Sequence, residues 1–216
     1  MKRLTFWMIL LVLVTNGAPA QSIDRKVMSN CKVIFDVRVI DTTVSAEVEQ
    51  MVSKAVKTSY IKGNNSRNEF VAPGFKQTTI FKGESDTIAV LKEAGNDKFI
   101  SYIDKKRYGQ PTKKYEGIRF VTTRESKKIL GYECRKVQAQ FPDGTYFFVY
   151  YAPAIEPSNK DFQTQFRGLP GFVLEYETFL EDEKTRVLYT ATSLTQPDLP
   201  ASLFTWPTSG YRVLQQ

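Results

Sequence analysis

The side chains that could do chemistry in this 216-residue chain are limited first by the absence of histidine. This absence excludes Ser-His-Asp and Cys-His nucleophile systems, histidine-ligated zinc and the zincin helix motif. Carboxylate pairs, Ser-Lys pairs and tyrosine-based sites remain open, but no recognisable constellation of them is present. The acidic cluster Glu181-Asp182-Glu183 lies between two strand-like runs, which is typical of a solvated hairpin tip. We therefore expect no catalytic residue, no metal site and no cofactor.

Two cysteines, Cys31 and Cys134, are the remaining reactive side chains. A disulfide between them is possible if the protein reaches an oxidising compartment, and it would close a long loop. The alternative is two free thiols. Cys31 is in phase with the apolar residues Val33, Phe35 and Val37, whereas Cys134 is in phase with polar residues, so a bulge near Gly131 would be needed to bring both onto one face.

The N-terminus has the three parts of a cleavable secretory signal peptide. Lys2 and Arg3 form the positive region, Leu4 to Val14 the apolar region, and Ala18-Pro19-Ala20 the site that signal peptidase reads. We expect cleavage between Ala20 and Gln21, no transmembrane anchor after cleavage, and a periplasmic or extracellular location. Residues 21–216 then form a single domain.

The net charge of +7 is spread along the chain and is interleaved with acidic residues. A nucleic-acid-binding protein usually concentrates its lysines and arginines on one helix or stripe. We therefore expect no nucleic-acid partner.

Period-two alternation with Gly, Asn and Pro turns predicts a mainly β fold. The expected strands are Lys32–Asp41, Ser59–Lys62, Asn68–Ala72, Phe75–Lys82, Thr87–Lys92, Lys98–Ile103, Gly117–Thr123, Ile129–Phe141, Thr145–Ala152, Phe172–Leu180 and Thr185–Leu194. Turns are expected at Gly63-Asn64-Asn65, Pro73-Gly74, Gly95-Asn96-Asp97 and Pro142-Asp143-Gly144. Short strands with tight connections predict an antiparallel meander.

One amphipathic helix is expected after the first strand. Val48, Met51, Val52, Ala55 and Val56 follow helical spacing, and Ser45 is a suitable N-cap. The long connection from Pro153 to Gly171 is expected to hold another helical turn at 159–167. These segments would cover one face of a curved sheet.

Several strands are apolar on both faces, as in Tyr146–Tyr151. Such a strand either lies between the core and a covering helix or has one face lining an apolar cavity. The candidate cavity-lining residues are Phe148, Tyr150, Phe172, Leu174 and Trp206.

Several segments resemble the GLPGLI-type proteins, a group of exported Gram-negative envelope proteins of unknown function. These segments are Tyr60–Glu69, Lys128–Lys136, Phe166–Glu175, Leu203–Pro207 and Gly210-Tyr211. The third segment keeps the Gly168-Leu169-Pro170-Gly171 core but has Phe172-Val173 where the family name implies Leu-Ile.

The resemblance implies a distant relationship to the lipoprotein-carrier superfamily that includes LolA. In that fold a strongly curved antiparallel sheet, a half-open barrel, wraps around helices and can shelter an acyl chain. The resemblance brings no catalytic site. Gly168, Leu169, Pro170 and Gly171 are interpreted as a structural turn motif, with Leu169 directed inward.

These observations lead to two function hypotheses. The first is a non-enzymatic envelope protein that binds an apolar ligand, such as a lipid or an acyl chain, within its sheet. The second is a structural or protein-interaction module of the cell envelope with a filled core and a protein partner.

Overall fold

The computed structural model describes residues 24–40, 44–109, 115–180 and 185–214. These parts of the chain form fourteen strands, two α-helices and two 3-10 helices. The strands are β1 (Lys26–Met28), β2 (Asn30–Val39), β3 (Val56–Lys62), β4 (Asn65–Ala72), β5 (Phe75–Phe81), β6 (Thr87–Ala94), β7 (Asp97–Asp104), β8 (Arg119–Ile129), β9 (Tyr132–Gln140), β10 (Tyr146–Ala152), β11 (Ile155–Pro157), β12 (Phe172–Phe179), β13 (Arg186–Thr195) and β14 (Arg212–Val213). The helices are α1 (Ala46–Ser53), α2 (Lys105–Gly109) and the 3-10 helices Lys160–Phe166 and Ala201–Phe204. We call the 3-10 helix Lys160–Phe166 the plug.

The main sheet has twelve strands in the order β14-β7-β6-β5-β4-β3-β2-β13-β12-β10-β9-β8. Strands β2 to β7 form one antiparallel meander and β8 to β10 another, and β13 pairs with β2 to join the two halves. β14 pairs in parallel with β7, and β1 and β11 form a separate parallel pair. The two edges, β14 and β8, do not meet, so the sheet is open. The predicted mainly β fold with an antiparallel meander is confirmed.

The sheet is curved around the plug. Phe162 of the plug accepts a hydrogen bond at its carbonyl from Asn68 Nδ2 of β4, with a distance of 3.0 Å. Phe166 of the plug packs against Phe147 of β10. Four strands separate β4 from β10 in the sheet order, so one short segment reaches both only because the sheet bends. We call this concave side the inner face.

The hydrophobic core is distributed unevenly over the inner face. Its largest cluster joins residues of β2, β9, β10, β12 and the plug, with Phe35, Phe147 and Phe172 buried. A second cluster on the same face includes Val52 and Ala55, where α1 covers one end. On the opposite, outer face, Trp206 and Tyr211 of the C-terminal segment pack on Ile80, Ala89, Leu91 and Ile100.

The expected helix and turns are present. Ser45 caps α1, and its hydroxyl accepts a hydrogen bond from the Val48 amide. The helix ends at Ser53. Val56, which the helical spacing included, is instead the first residue of β3. Gly63, Gly74, Gly95 and Gly144 have positive φ at the four predicted turns. The plug confirms the helical turn expected within Pro153–Gly171.

The predicted single strand Ile129–Phe141 is wrong, because the chain reverses at Leu130-Gly131. These residues have φ values of 51° and 82°, the left-handed pair that a two-residue hairpin requires. β8 therefore extends back through the charged run Arg124–Lys128, which the alternation of apolar residues did not indicate. These charges lie on an edge strand, where they oppose pairing with another chain.

Of the two alternatives for Cys31 and Cys134, the structure has the free thiols, and both are buried. Both side chains belong to the largest core cluster, but β13, β12 and β10 lie between their strands in the sheet. A disulfide needs Cα atoms within about 4.4–6.8 Å, and each intervening strand adds about 4.8 Å along the sheet. Burial raises the pKa of Cys31 to about 12 and that of Cys134 to about 11.

The predicted signal peptide, residues 1–20, and the acidic cluster 181–183 lie outside the described residues. The strands flanking that cluster, β12 and β13, do pair antiparallel, with Phe179 opposite Arg186. Within the described ranges, no helix has the length and apolar character needed to cross a membrane.

Candidate functional site

Two adjoining cavities lie on the inner face where the core does not fill it. The first has a volume of about 390 Å³ and we call it the Lys57 cavity. The second has a volume of about 400 Å³ and we call it the Arg167 cavity. Tyr108 of α2 and Thr164 of the plug line both. The plug and α2 are therefore common walls of one cleft over the first meander.

The Lys57 cavity combines aromatic and amide side chains. Its lining consists of Lys57, Asn68, Glu69, Phe70, Phe75, Gln77, Thr79, Tyr108, Phe162, Thr164, Gln165, Phe179, Leu180 and Tyr189. Strand alternation explains the set, because Lys57, Phe70 and Gln77 are cross-strand partners on β3, β4 and β5. Lys57 is the one cation among the described residues of this lining.

Lys57 is held by aromatic residues of the core. Its Nζ donates a hydrogen bond to the Tyr176 hydroxyl at 2.8 Å. The same Nζ lies 5.6 Å, 5.2 Å and 5.5 Å from the ring centroids of Phe35, Tyr176 and Tyr189. Such distances allow cation–π attraction. Burial nevertheless lowers the pKa of Lys57 to about 8, because the site is poorly solvated.

The tyrosines beside Lys57 stay protonated at neutral pH. Burial raises the pKa of Tyr189 to about 12 and raises that of Tyr176 well above its ordinary value. Their rings stack with centroids 4.8 Å apart. The end of the cavity therefore presents the Lys57 ammonium group and the neutral phenol of Tyr189 to whatever enters it.

Asn68 connects the sheet to the plug at the cavity wall. The Ser59 hydroxyl donates to Asn68 Oδ1 at 2.5 Å, and Asn68 Nδ2 donates to the Phe162 carbonyl. Both polar groups of this amide are thus used in positioning the plug over β4.

The Arg167 cavity has an apolar floor and a basic rim. Phe81 and Ile88 form the floor, and Lys105, Lys106 and Arg167 lie around it with Asp161. Arg167 pairs with Asp161, and Lys105 Nζ lies 4.5 Å from the Phe81 ring centroid. Burial raises the pKa of Tyr108, which stands between the two cavities.

None of the five candidate cavity-lining residues lines either of these cavities. Phe172 and Leu174 are fully buried in the solid part of the core. Phe148 and Tyr150 lie on the opposite face of β10 from the buried Phe147 and Val149. Lys136 Nζ lies 4.0 Å from the Phe148 ring and Lys127 Nζ 4.2 Å from the Tyr150 ring. Trp206 packs on the outer face, 6.3 Å from Tyr102 between ring centroids.

The Gly168-Leu169-Pro170-Gly171 motif is a structural turn, and it faces a filled region. Leu169 is buried in the core and its amide donates to the Phe166 carbonyl at 2.9 Å. A Cβ on Gly171 would meet the Ala152 carbonyl oxygen and would lie 2.8 Å from Tyr151 Cδ2. The remaining void beneath the plug is only about 10 Å³, room for about one water molecule.

Sequence reasoning missed Lys57, Tyr108 and Thr164. For Lys57 a signal existed, since it is in phase with Ser59 and the buried Ile61 on β3. The helix prediction extended to Val56 and obscured this phase. No comparable signal marks Tyr108 or Thr164, whose positions depend on the long-range packing of α2 and the plug.

Among the described residues, no group of three or more Cys, Asp or Glu side chains is arranged to hold a metal ion.

Comparison with known proteins yields only distant structural similarity. No protein-family model matches the chain. No curated protein matches it either. Two crystal forms of PNGF-II have TM-scores of 0.46, with 12% and 11% identity over 87% and 88% of this chain. The chain spans 31% of the PNGF-II chain. An uncharacterised conserved protein from Thermus thermophilus has a TM-score of 0.48 and 12% identity, with 88% of this chain and 92% of that chain covered.

Proposed function

We propose that this chain is an exported, non-enzymatic envelope protein that binds an apolar ligand, such as a lipid or an acyl chain. The supporting observation is the pair of adjoining cavities on the inner face of the sheet. Each cavity has a volume within the roughly 300–1,000 Å³ typical of small-molecule sites.

The lining of the cleft suits an apolar chain. Phe70, Phe75 and Phe179 contribute rings at one end, and Phe81 and Ile88 form the floor at the other. Transfer of a methylene group from water to such a surface is favourable by roughly 0.8 kcal/mol. The resemblance to GLPGLI-type envelope proteins, with the carrier-like fold it implies, supports the same proposal.

The test is to look for a bound ligand and then to block the cleft. Native mass spectrometry and solvent extraction of the purified protein should reveal a co-purifying lipid. A fluorescent fatty acid should bind the protein, and Gln77→Trp, which fills the Lys57 cavity, should weaken binding by about tenfold or more.

Lys76→Trp is the matched control, because Lys76 is the neighbouring residue on the opposite face of β5. It should change the affinity by less than about twofold. A wild-type protein that binds neither lipid nor probe, or a Gln77→Trp variant with unchanged affinity, would refute the proposal.

A second candidate is a structural or protein-interaction module, and the filled half of the inner face favours it. The void beneath the plug has a volume of only about 10 Å³, and Phe162, Phe166 and Leu169 are buried there. Crosslinking in the native envelope should then give a stoichiometric protein partner. Deleting Pro153–Gly171 would be uninformative, since it would remove these core residues. Substitution of the exposed Lys160 and Pro170 would probe this surface without that loss.

A further inference from the structure

Among the described residues, no anionic group neutralises the charge of Lys57. In the described parts of the chain, no carboxylate forms an ion pair with its Nζ. Glu69 is the one acidic residue described in the lining of the Lys57 cavity, but its side chain lies on the outer face, where it pairs with Arg67 at 2.6 Å and Lys76 at 3.7 Å. Within the described ranges, Lys57 is therefore a cation at the wall of a cavity, and the contacts of its Nζ are with a phenol hydroxyl and with aromatic rings.

The Lys57 ammonium group is half-buried, and without an anion among its described neighbours this position is unfavourable, because ring faces and one hydroxyl replace only part of its hydration. An incoming anion would therefore gain more at Lys57 than at an exposed lysine. At neutral pH most Lys57 side chains remain protonated, since the pKa of about 8 lies above neutrality.

The chemistry around Lys57 favours a carboxylate over a phosphate. One lysine supplies a single point charge, whereas phosphate sites commonly use arginine forks or several cations. The amide side chains of Gln77 and Gln165, which also line the cavity, are suited to donate hydrogen bonds to a carboxylate oxygen. The same lining includes the aromatic residues Phe70, Phe75 and Phe179, and the Arg167 cavity adjoins it at Tyr108 and Thr164.

We propose that Lys57 binds the carboxylate of a long-chain fatty acid whose hydrocarbon tail lies along the cleft. This inference rests on the proposed function, since it specifies the head group of the ligand bound there.

The test compares hexadecanoic acid with hexadecan-1-ol, which has the same chain length but no charge. Calorimetric titration at neutral pH should give an affinity for the acid about tenfold or more above that for the alcohol. In Lys57→Met, which keeps the length of the side chain, this preference should disappear while the alcohol still binds. Lys57→Arg should retain the preference.

Lys32→Met is the matched control. Lys32 lies on the adjacent strand β2, and its Nζ is 5.7 Å from the Tyr60 ring centroid on the outer face. Like Lys57, Lys32 contacts an aromatic ring, but it does not line the cavity. Lys32→Met should therefore keep the preference for the acid.

A pH series checks that the charge is responsible. The affinity of the wild type for the acid should fall as pH rises through about 8, where Lys57 loses its proton, and the affinity for the alcohol should stay constant. Among the described residues, the other titratable groups around Lys57 and its cavity are Tyr108, Tyr176 and Tyr189, which stay protonated in this range because burial raises their pKa values. The Glu69 carboxylate is directed to the outer face and is paired with Arg67. Lys57→Met should abolish the pH dependence.

The outcomes separate this inference from the proposed function. Equal affinity of the wild type for acid and alcohol would overturn the carboxylate anchor but leave ligand binding intact. The carboxylate anchor would also be overturned if Lys57→Met kept the preference for the acid, or if it lowered the affinities for acid and alcohol by the same factor. Binding of neither ligand to the wild type would refute both proposals.

Discussion

Gly168 and Gly171 occupy the same turn but differ in how much space surrounds them. Neither has a positive φ, so backbone conformation does not require glycine at either position. A Cβ at Gly171 would overlap the carbonyl of Ala152 at the end of β10, whereas one at Gly168 would lie 3.5 Å from a ring atom of Phe120. Of these two glycines, Gly171 is the one whose missing side chain allows its backbone to approach the backbone of Ala152.

Gly171→Ala should therefore destabilise the protein by about 2–3 kcal/mol, because neither the Ala152 carbonyl nor the packed Tyr151 ring can move aside easily. Urea denaturation followed by circular dichroism measures the free energy of unfolding. Gly168→Ala is the control, and it should change stability by less than about 0.5 kcal/mol. Equal effects of the two substitutions would contradict this account of the motif.

At the scale of the element, the β8–β9 hairpin contains the clearest conflict between residue type and backbone. Leu130 has a φ of 51°, a conformation that costs a non-glycine residue about 1–2 kcal/mol. Its side chain is 40% exposed, so it contributes little to the core. Gly131 beside it also has positive φ, and Asn-Gly is the preferred sequence for such a two-residue turn.

Leu130→Asn should therefore stabilise the protein by about 0.5–1 kcal/mol, because asparagine tolerates the left-handed conformation. The midpoint of urea unfolding should rise without a change in slope. Leu130→Val is the opposing control, since a β-branched side chain disfavours positive φ and should lower the midpoint. A Leu130→Asn variant no more stable than the wild type would show that the turn is not strained.

Local patterns in the sequence predicted most elements of the fold. Ser45 identified the start of α1, and glycines with positive φ identified four turns. The charged half of β8 was missed, because Arg124–Lys128 has no apolar alternation to reveal an edge strand. The parallel pairing of β1 with β11 was also missed, since it joins short segments distant in sequence.

The candidate site was not predictable to the same extent. Alternation shows that Phe147 and Phe148 lie on opposite faces of β10, but not which face is concave. That depends on the pairing of β13 with β2, where Val187 lies opposite Val39, and on the bend around the plug. The cavities exist because the plug fills one half of this concave face and leaves the other half open.

At the scale of the whole molecule, one continuous sheet therefore has two halves with different packing on the inner face. Over β9, β10 and β12 the plug packs on the aromatic core, and the void beneath the plug is only about 10 Å³. Over β4, β5 and β6 the inner face borders the cleft. Local opening requires less free energy where fewer buried contacts must break, so the two halves should differ in their exchange of amide hydrogens.

Hydrogen exchange followed by mass spectrometry should show stronger protection in β10 and β12 than in β5 and β6 of the ligand-free protein. Addition of hexadecanoic acid should slow exchange in β4 to β6 and in the plug, because a ligand stabilises the parts it contacts. Protection of β9 and β10 should change little, and Gln77→Trp should remove the response. Uniform protection in the free protein, or a response to the acid confined to β8–β10, would show that the open half of the sheet is not where a ligand binds.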